Sequence, residues 1–271
     1  MLAEETYSRS FRGFHLDKYF PSTIPEQCTA AVALRGEKVV AIAGLMDVKM
    51  SIAGTAVKAG QNCDLLVAPE YRGTGISKAM LVESLKMARQ RSMHFTFGFT
   101  HGTVDRWLRP LGFYRLGSLN RFTYTFNDNL WRKMNRKISA YAVPHSENQI
   151  PNQMIESGYD GVIYDENYRA VKLARRCLIY KAGTCSAWVS ANRAYIGAIS
   201  PGCGPQDIAE MLGRRFSPRE LTYMCSDNTP LSDKFIREWR LKDPMHVMVR
   251  NISGLYDLSA LRFQMADTDF F

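Results

Sequence analysis

Apolar residues recur along this chain with two periods, and the switch between them outlines its elements. Thr29-Ala-Ala-Val-Ala-Leu34 and Val39 to Met46 flank the turn Arg35-Gly36-Glu37-Lys38, a hairpin pattern. A second turn region, Ser51-Ile52-Ala53-Gly54-Thr55, leads into a strand-like run from Gln61 to Leu66. Between Lys78 and Arg91 the period lengthens. Met80, Leu81, Leu85 and Ala88 fall at helical spacing with no Gly or Pro. Phe95-Thr96-Phe97-Gly98-Phe99 reads as a short apolar strand, and Arg121 to Phe126 alternates like a closing strand.

The second half repeats strand patterns at 176–181, 185–190 and 193–200. A helix is predicted over 205–215, a strand over 221–225, a helix over 232–239 and a last strand over 246–250. Between the halves, the basic stretch Trp131 to Lys137 fits a linker helix. Val143 to Pro151 is polar with two prolines. The expected division is a domain over 1–127, a linker over 128–150 and a domain over 151–271. The element order implies an α/β protein with a mixed sheet.

The chemistry concentrates in Val67-Ala-Pro-Glu-Tyr-Arg-Gly-Thr-Gly-Ile-Ser77. Arg72-Gly73-Thr74-Gly75 sits on a strand-to-helix turn, where two glycines let a ligand approach the backbone and helix-start amides bind phosphate. A dinucleotide fingerprint needs a third glycine where Lys78 stands. A Walker loop needs Gly-Lys-Ser/Thr where Gly75-Ile76-Ser77 stands. What remains is a proline-ended strand followed by Arg-x-x-Gly-x-small, at Arg72, Gly75 and Ser77. This resembles the pyrophosphate loop of the Gcn5-related N-acetyltransferase (GNAT) superfamily, with Ser77 in place of the usual Gly or Ala. Leu111-Gly112-Phe113 matches the ending of the following helix in that superfamily. His101 stands where an Asn is usual, and Leu108 where a Tyr often is. The resemblance spans roughly residues 11–126. About 28 residues precede the hairpin, so the usual first strand is expected to be missing or supplied by another segment.

The resemblance implies a mixed-sheet GNAT acyl-CoA N-acyltransferase fold, followed by a second, degenerate GNAT-like half without the loop. It implies acetyl-CoA or another acyl-CoA as co-substrate and the amine of a small molecule, such as an amino sugar or amino acid, as acceptor. Backbone groups around Leu66 and Val67 would hold the pantetheine arm. Amides of Arg72, Gly73, Thr74, Gly75, Ile76 and Ser77 would take the pyrophosphate. His101 would replace the Asn that touches the CoA arm, or act structurally. Asp64, an acid beside apolar Leu65, Leu66 and Val67, is the candidate base, or a structural cap. Tyr114 is the candidate general acid, or a core residue. Cys63 has no evident His partner and reads as an inert thiol. Two other readings stand beside this one: a non-catalytic CoA-binding or interaction protein, and an aminoacyl-tRNA-dependent transferase, which needs no CoA loop.

Composition narrows the rest. Of 271 residues, 46% are hydrophobic, enough for a sizeable core. The longest apolar run, Val39 to Met46, is too short to span a bilayer. The N-terminus is acidic and lacks a signal-peptide core, so a cytoplasmic protein is expected. Six scattered cysteines without a C-x-x-C pair read as reduced thiols. The net charge of +9 is not blocked into runs, which favours a solvated basic surface or an anionic ligand over a nucleic-acid groove. Asp267-Thr268-Asp269 is too sparse for a metal site, and a solvated tail is expected. The second half is expected to wall the acceptor site or to hold a homodimer.

Overall fold

A computed structural model describes residues 28–126, 159–166, 168–169, 177–182, 185–190, 195–200, 202–216, 220–227 and 229–267. The chain divides into two compact units. One comprises the chain up to Leu116 together with Val247–Leu258. The other comprises Gly117–His246 and the chain from Ser259 onward. The linker expected over 128–150 and the segment preceding the first hairpin lie outside the described residues.

In the first unit, β1 (Cys28–Arg35), β2 (Lys38–Ile52) and β3 (Thr55–Val67) form an antiparallel meander. β2 continues well past the apolar run that announced it. Its turn into β3 places Ala53 and Gly54 at φ 48° and 77°, the two positive values a tight hairpin of matching twist needs. Helix α1 (Ile76–Gln90) lays Met80, Leu81, Ser84, Leu85 and Ala88 into the core. β4 (Phe95–Thr100) then pairs with β3 in parallel. α2 (Gly102–Leu108) and a 3-10 turn over Arg109–Leu111 lead to Gly112, left-handed at φ 80°. A Cβ at Gly112 would collide with the Arg250 guanidinium, so close packing as well as dihedral freedom selects glycine there. Leu81, Leu85, Leu108, Leu111, Phe113 and Met248 form the core around this corner. β5 (Tyr114–Thr125) begins here.

The second unit holds most of β5 and adds β6 (Gly161–Val162), β7 (Cys177–Ala182), β8 (Cys185–Ser190) and β9 (Tyr195–Ile199). Then follow α3 (Pro205–Phe216), β10 (Glu220–Ser226), α4 (Pro230–Glu238) and β11 (Arg240–Asn251), whose residues from Val247 onward belong to the first unit. β7, β8 and β9 are an antiparallel meander, and β9 runs parallel to β10. The sense of pairing and the order meander, helix, parallel strand, helix, strand are those of the first unit. β10 pairs antiparallel with β5 over Glu220↔Thr125 to Ser226↔Leu119. Thr229 caps α4 by accepting the Ser232 amide at 3.0 Å, with Pro230 in the first turn. The core gathers Phe122, Tyr223, Phe235 and Trp239 with the apolar face of α3.

Two expectations need correction in this unit. Cys185 and Cys203 are joined as a disulfide, with Cα atoms 5.1 Å apart, so not all six cysteines are reduced thiols. Cys185 opens β8 and Cys203 lies in the turn between β9 and α3, and only folding brings them together. Asp267 is not part of a solvated tail. It is fully buried in a 3-10 turn, where it accepts from the Tyr164 hydroxyl at 2.8 Å and the Gln264 amide at 2.6 Å. Thr268 and Asp269 lie outside the described residues.

Burial, and then the Asp267 carboxylate, push the Tyr164 hydroxyl well above its ordinary pKa of 10.0. A folded pKa above the unfolded value gives stability that is complete below pH 10 and lost as pH rises through the folded pKa. Urea melts between pH 8 and pH 11 should therefore show a falling stability, as an approximate range set by that ordinary tyrosine pKa. Tyr164→Phe should flatten the part of the decline that Tyr164 contributes. It should also lower stability at neutral pH by about 1–3 kcal/mol, because a buried carboxylate loses a donor.

Candidate functional site

The turn from β3 to α1 carries the sequence-predicted loop. Pro69–Tyr71 forms a short 3-10 turn, Arg72 is extended, and Gly73 and Gly75 take φ 78° and 86°. Gly75 is the N-cap of α1, and its carbonyl accepts from the amides of Lys78 and Ala79. The Thr74 hydroxyl donates to the Tyr71 carbonyl at 2.6 Å, and Arg72 Nε donates to the Val67 carbonyl at 3.2 Å. These two bonds fold the loop back on the end of β3. The Arg72 amide, expected among the donors, is instead taken by the Pro69 carbonyl at 3.2 Å, whereas those of Gly73, Thr74, Gly75, Ile76 and Ser77 take no hydrogen bond among the described residues. Arg72 to Gly75 are exposed, and a Cβ at Gly73 or Gly75 would meet nothing within 4 Å. The result is an open row of donors at a helix N-terminus, where the backbone dipoles favour an anion. Glu70, the carboxylate in the adjoining 3-10 turn, faces Lys38 at 3.1 Å. Its pKa is lowered by a backbone hydrogen bond and then by that lysine.

β3 divides its pairing unequally. It stays on β2 up to Val67↔Ala41, but its ladder to β4 holds only Ala59↔Phe95, Gly60↔Thr96 and Gln61↔Phe97. Asp64 sits at the irregularity in the β2–β3 register, half-buried, with φ 44°. A non-glycine residue there makes a bulge that re-aims the strand. Leu66 and Val67 follow it, buried. Because β3 and β4 are parallel, the loop and His101 stand at the same edge of the sheet. His101 is exposed, occupies the N-cap position of α2 and makes no side-chain capping bond. Beside it, Thr100 donates to the buried Asp105 carboxylate at 2.8 Å. Tyr114 opens β5 with 43% of its surface exposed, so it is not a core residue. Burial and then Asp257 raise its pKa.

The structure thus unites Leu66, Val67 and Arg72 to Ser77 in one strand-to-helix turn, with Asp64 three residues before Val67. Sequence reasoning missed the Arg72 bond to Val67. It also missed Asn62 and Ser84, which meet at 3.1 Å between β3 and α1. Their signal was a polar residue on each of two otherwise apolar faces.

The described residues of the corresponding turn in the second unit, from β9 to α3, carry side-chain bonds that the first turn lacks. The Gly204 amide is taken by the Asp207 carboxylate at 2.9 Å. Ser200 Oγ accepts the Ser186 amide at 2.9 Å, and Cys203 is bonded to Cys185. A carboxylate fixed at a helix start disfavours a phosphate there. Among the described residues no cluster of His, Cys, Asp or Glu could hold a metal ion, and no helix is long and apolar enough to cross a membrane.

Comparison with known proteins agrees with this geometry. The family model described as an acetyltransferase (GNAT) domain matches residues 4–113. A GCN5-related N-acetyltransferase from Kribbella flavida aligns at a TM-score of 0.64 with 17% identity, over 93% of this chain and 68% of that one. A GCN5-related N-acetyltransferase from Anabaena variabilis aligns at 0.62 with 13% identity, over 92% and 68%. No curated protein matches the chain by sequence. At such identities the structures speak for the fold alone, but the likeness extends through the second unit, beyond the reach of the family model. The chain therefore has the GNAT fold. More particularly, residues 4–113 match the acetyltransferase (GNAT) domain model, and the loop at the head of α1 lies inside that segment.

The loop glycines and Gly112 should respond differently to a methyl group. Gly75→Ala adds an unhindered Cβ to a left-handed backbone and should cost about 1–2 kcal/mol. Gly112→Ala carries the same strain and must also displace Arg250, so it should cost about 1 kcal/mol more. Urea denaturation of both variants checks the order.

Proposed function

We propose that this protein transfers an acyl group from acetyl-CoA or another acyl-CoA to the amine of a small molecule, such as an amino sugar or amino acid. The observation that carries the reading is the open row of unpartnered amides from Gly73 to Ser77 at the head of α1. Those amides would hold the pyrophosphate. Backbone groups at Leu66 and Val67 would hold the pantetheine arm and polarise the thioester carbonyl. His101, exposed at the same sheet edge, would contact the arm.

In the transfer, the amine nitrogen attacks the thioester carbon, the new C–N bond forms, and the C–S bond breaks. Asp64 would accept the proton the amine loses, and Tyr114 would return one to the CoA thiolate. The Tyr114 hydroxyl is protonated at neutral pH and so has a proton to give, while its raised pKa makes it a weaker donor than an ordinary tyrosine. We place the work in the cytoplasm, although a disulfide such as Cys185–Cys203 is uncommon there. A homodimer and a supporting role for the second unit belong to the same proposal. A non-catalytic CoA-binding protein is the second reading, favoured by Leu108 and His101 standing where the superfamily often has Tyr and Asn.

Saturating CoA or acetyl-CoA should raise the melting temperature, since a ligand at a hundredfold excess over its dissociation constant adds roughly 2.7 kcal/mol. No shift with any acyl-CoA would remove both readings. Gly75→Glu should keep the fold and abolish the shift, because its carboxylate would stand against the pyrophosphate. Asp64→Asn should lower kcat more than it raises the acyl-CoA KM, with the deficit shrinking at high pH, where the amine is already deprotonated. Binding without turnover for any amine would favour the second reading.

A further inference from the structure

The strand β3 leaves β4 just where the proposed acyl-CoA arm would enter, and one side chain spans the point of departure. The last rung of the ladder is Gln61↔Phe97. Beyond it, Asn62 Nδ2 donates to the Phe97 carbonyl at 3.3 Å, so a side-chain amide stands in for the next backbone donor. The other end of that amide is held as well, since Asn62 Oδ1 accepts from Ser84 Oγ at 3.1 Å.

Ser84 is 1% exposed and lies in the middle of the apolar face of α1, between Leu81 and Leu85. Packing alone would accept an alanine at that position. A serine that meets an asparagine fixes where the helix sits along its axis, which apolar contacts do not. Ile76, the first residue of α1, lies eight residues before Ser84, or about 12 Å along the axis. The pin therefore sets how far the loop amides stand from the open edge of β3.

Resting on the function proposed above, we infer that Asn62, through Ser84, is a positioning residue that fixes the spacing between the pyrophosphate subsite and the strand edge that receives the thioester arm. Neither side chain touches the ligand. Each subsite is complete without the pin: the loop amides belong to α1, and the strand edge to β3. The pin decides whether one molecule reaches both at once. CoA, which must span the two subsites, depends on it. ADP, which carries the pyrophosphate without the pantetheine arm, does not.

The test measures CoA and ADP dissociation constants by calorimetry on the full chain, for wild type, Asn62→Leu and Ser84→Ala. Asn62→Leu should weaken CoA about tenfold, the effect of one lost constraint of roughly 1.4 kcal/mol, and leave ADP within about twofold. Ser84→Ala should change the CoA-to-ADP ratio in the same direction by less, and it serves if Asn62→Leu does not fold. In turnover, both variants should raise the acyl-CoA KM more than they lower kcat. A CoA-to-ADP ratio equal to wild type in either folded variant, whatever the melting temperature does, overturns the inference and leaves the proposed function standing. A wild-type protein that binds neither ligand overturns both.

Discussion

A β-strand has two edges, and the first unit depends on how β3 spends them. One edge is committed to β2 along the whole strand, down to Val67. The other serves β4 for three rungs and then departs from it. A strand that kept both partners to its end would leave no backbone group for a ligand, because nearly every buried amide and carbonyl in a native protein is already paired. The bulge at Asp64 follows three residues after the last rung. Asn62 donates to the Phe97 carbonyl and Arg72 to the Val67 carbonyl along the departing stretch.

The loop follows from the same accounting. A helix must begin with amides that have no intrahelical partner, and the usual remedy is a Ser, Thr, Asp or Asn cap. α1 starts at a left-handed glycine with no side-chain cap at all. α4 in the second unit starts at Thr229 with the capping bond made. At the turn before α3, Asp207 covers the Gly204 amide. Two units with the same order of elements therefore differ at this helix start: a side-chain carboxylate takes an amide before α3, and no side chain does so before α1.

The disulfide and the buried Tyr164–Asp267 pair belong to the second unit and have no part in the loop chemistry. They fasten segments distant in sequence: Cys185 to Cys203, and Tyr164 to the last described turn. Gln264 adds a third tie, accepting from the Ile199 amide at 2.9 Å and the Tyr223 hydroxyl at 2.7 Å. Buried polar groups of this kind specify one arrangement because any other would leave them unpaired.

Much of this was legible in the sequence, because it depends on neighbours along the chain. The hairpin, α1, β4, the Leu111-Gly112-Phe113 corner and the Arg72 to Ser77 loop are all set within about fifteen residues, by period, by glycine or by a strand running into a helix. The loop was found for that reason: a phosphate site made of backbone amides needs only a local conformation. What the sequence could not reveal were relations across the fold. Cys185 and Cys203 looked like scattered thiols until two elements brought them together. Asp267 looked like a tail residue because its partner lies 103 residues away. Asn62 and Ser84 each looked like an ordinary polar residue within an apolar pattern. Only the packing of α1 on β3 pairs them, because a side-chain hydrogen bond is decided by which faces meet, and a one-dimensional pattern holds the faces but not their meeting.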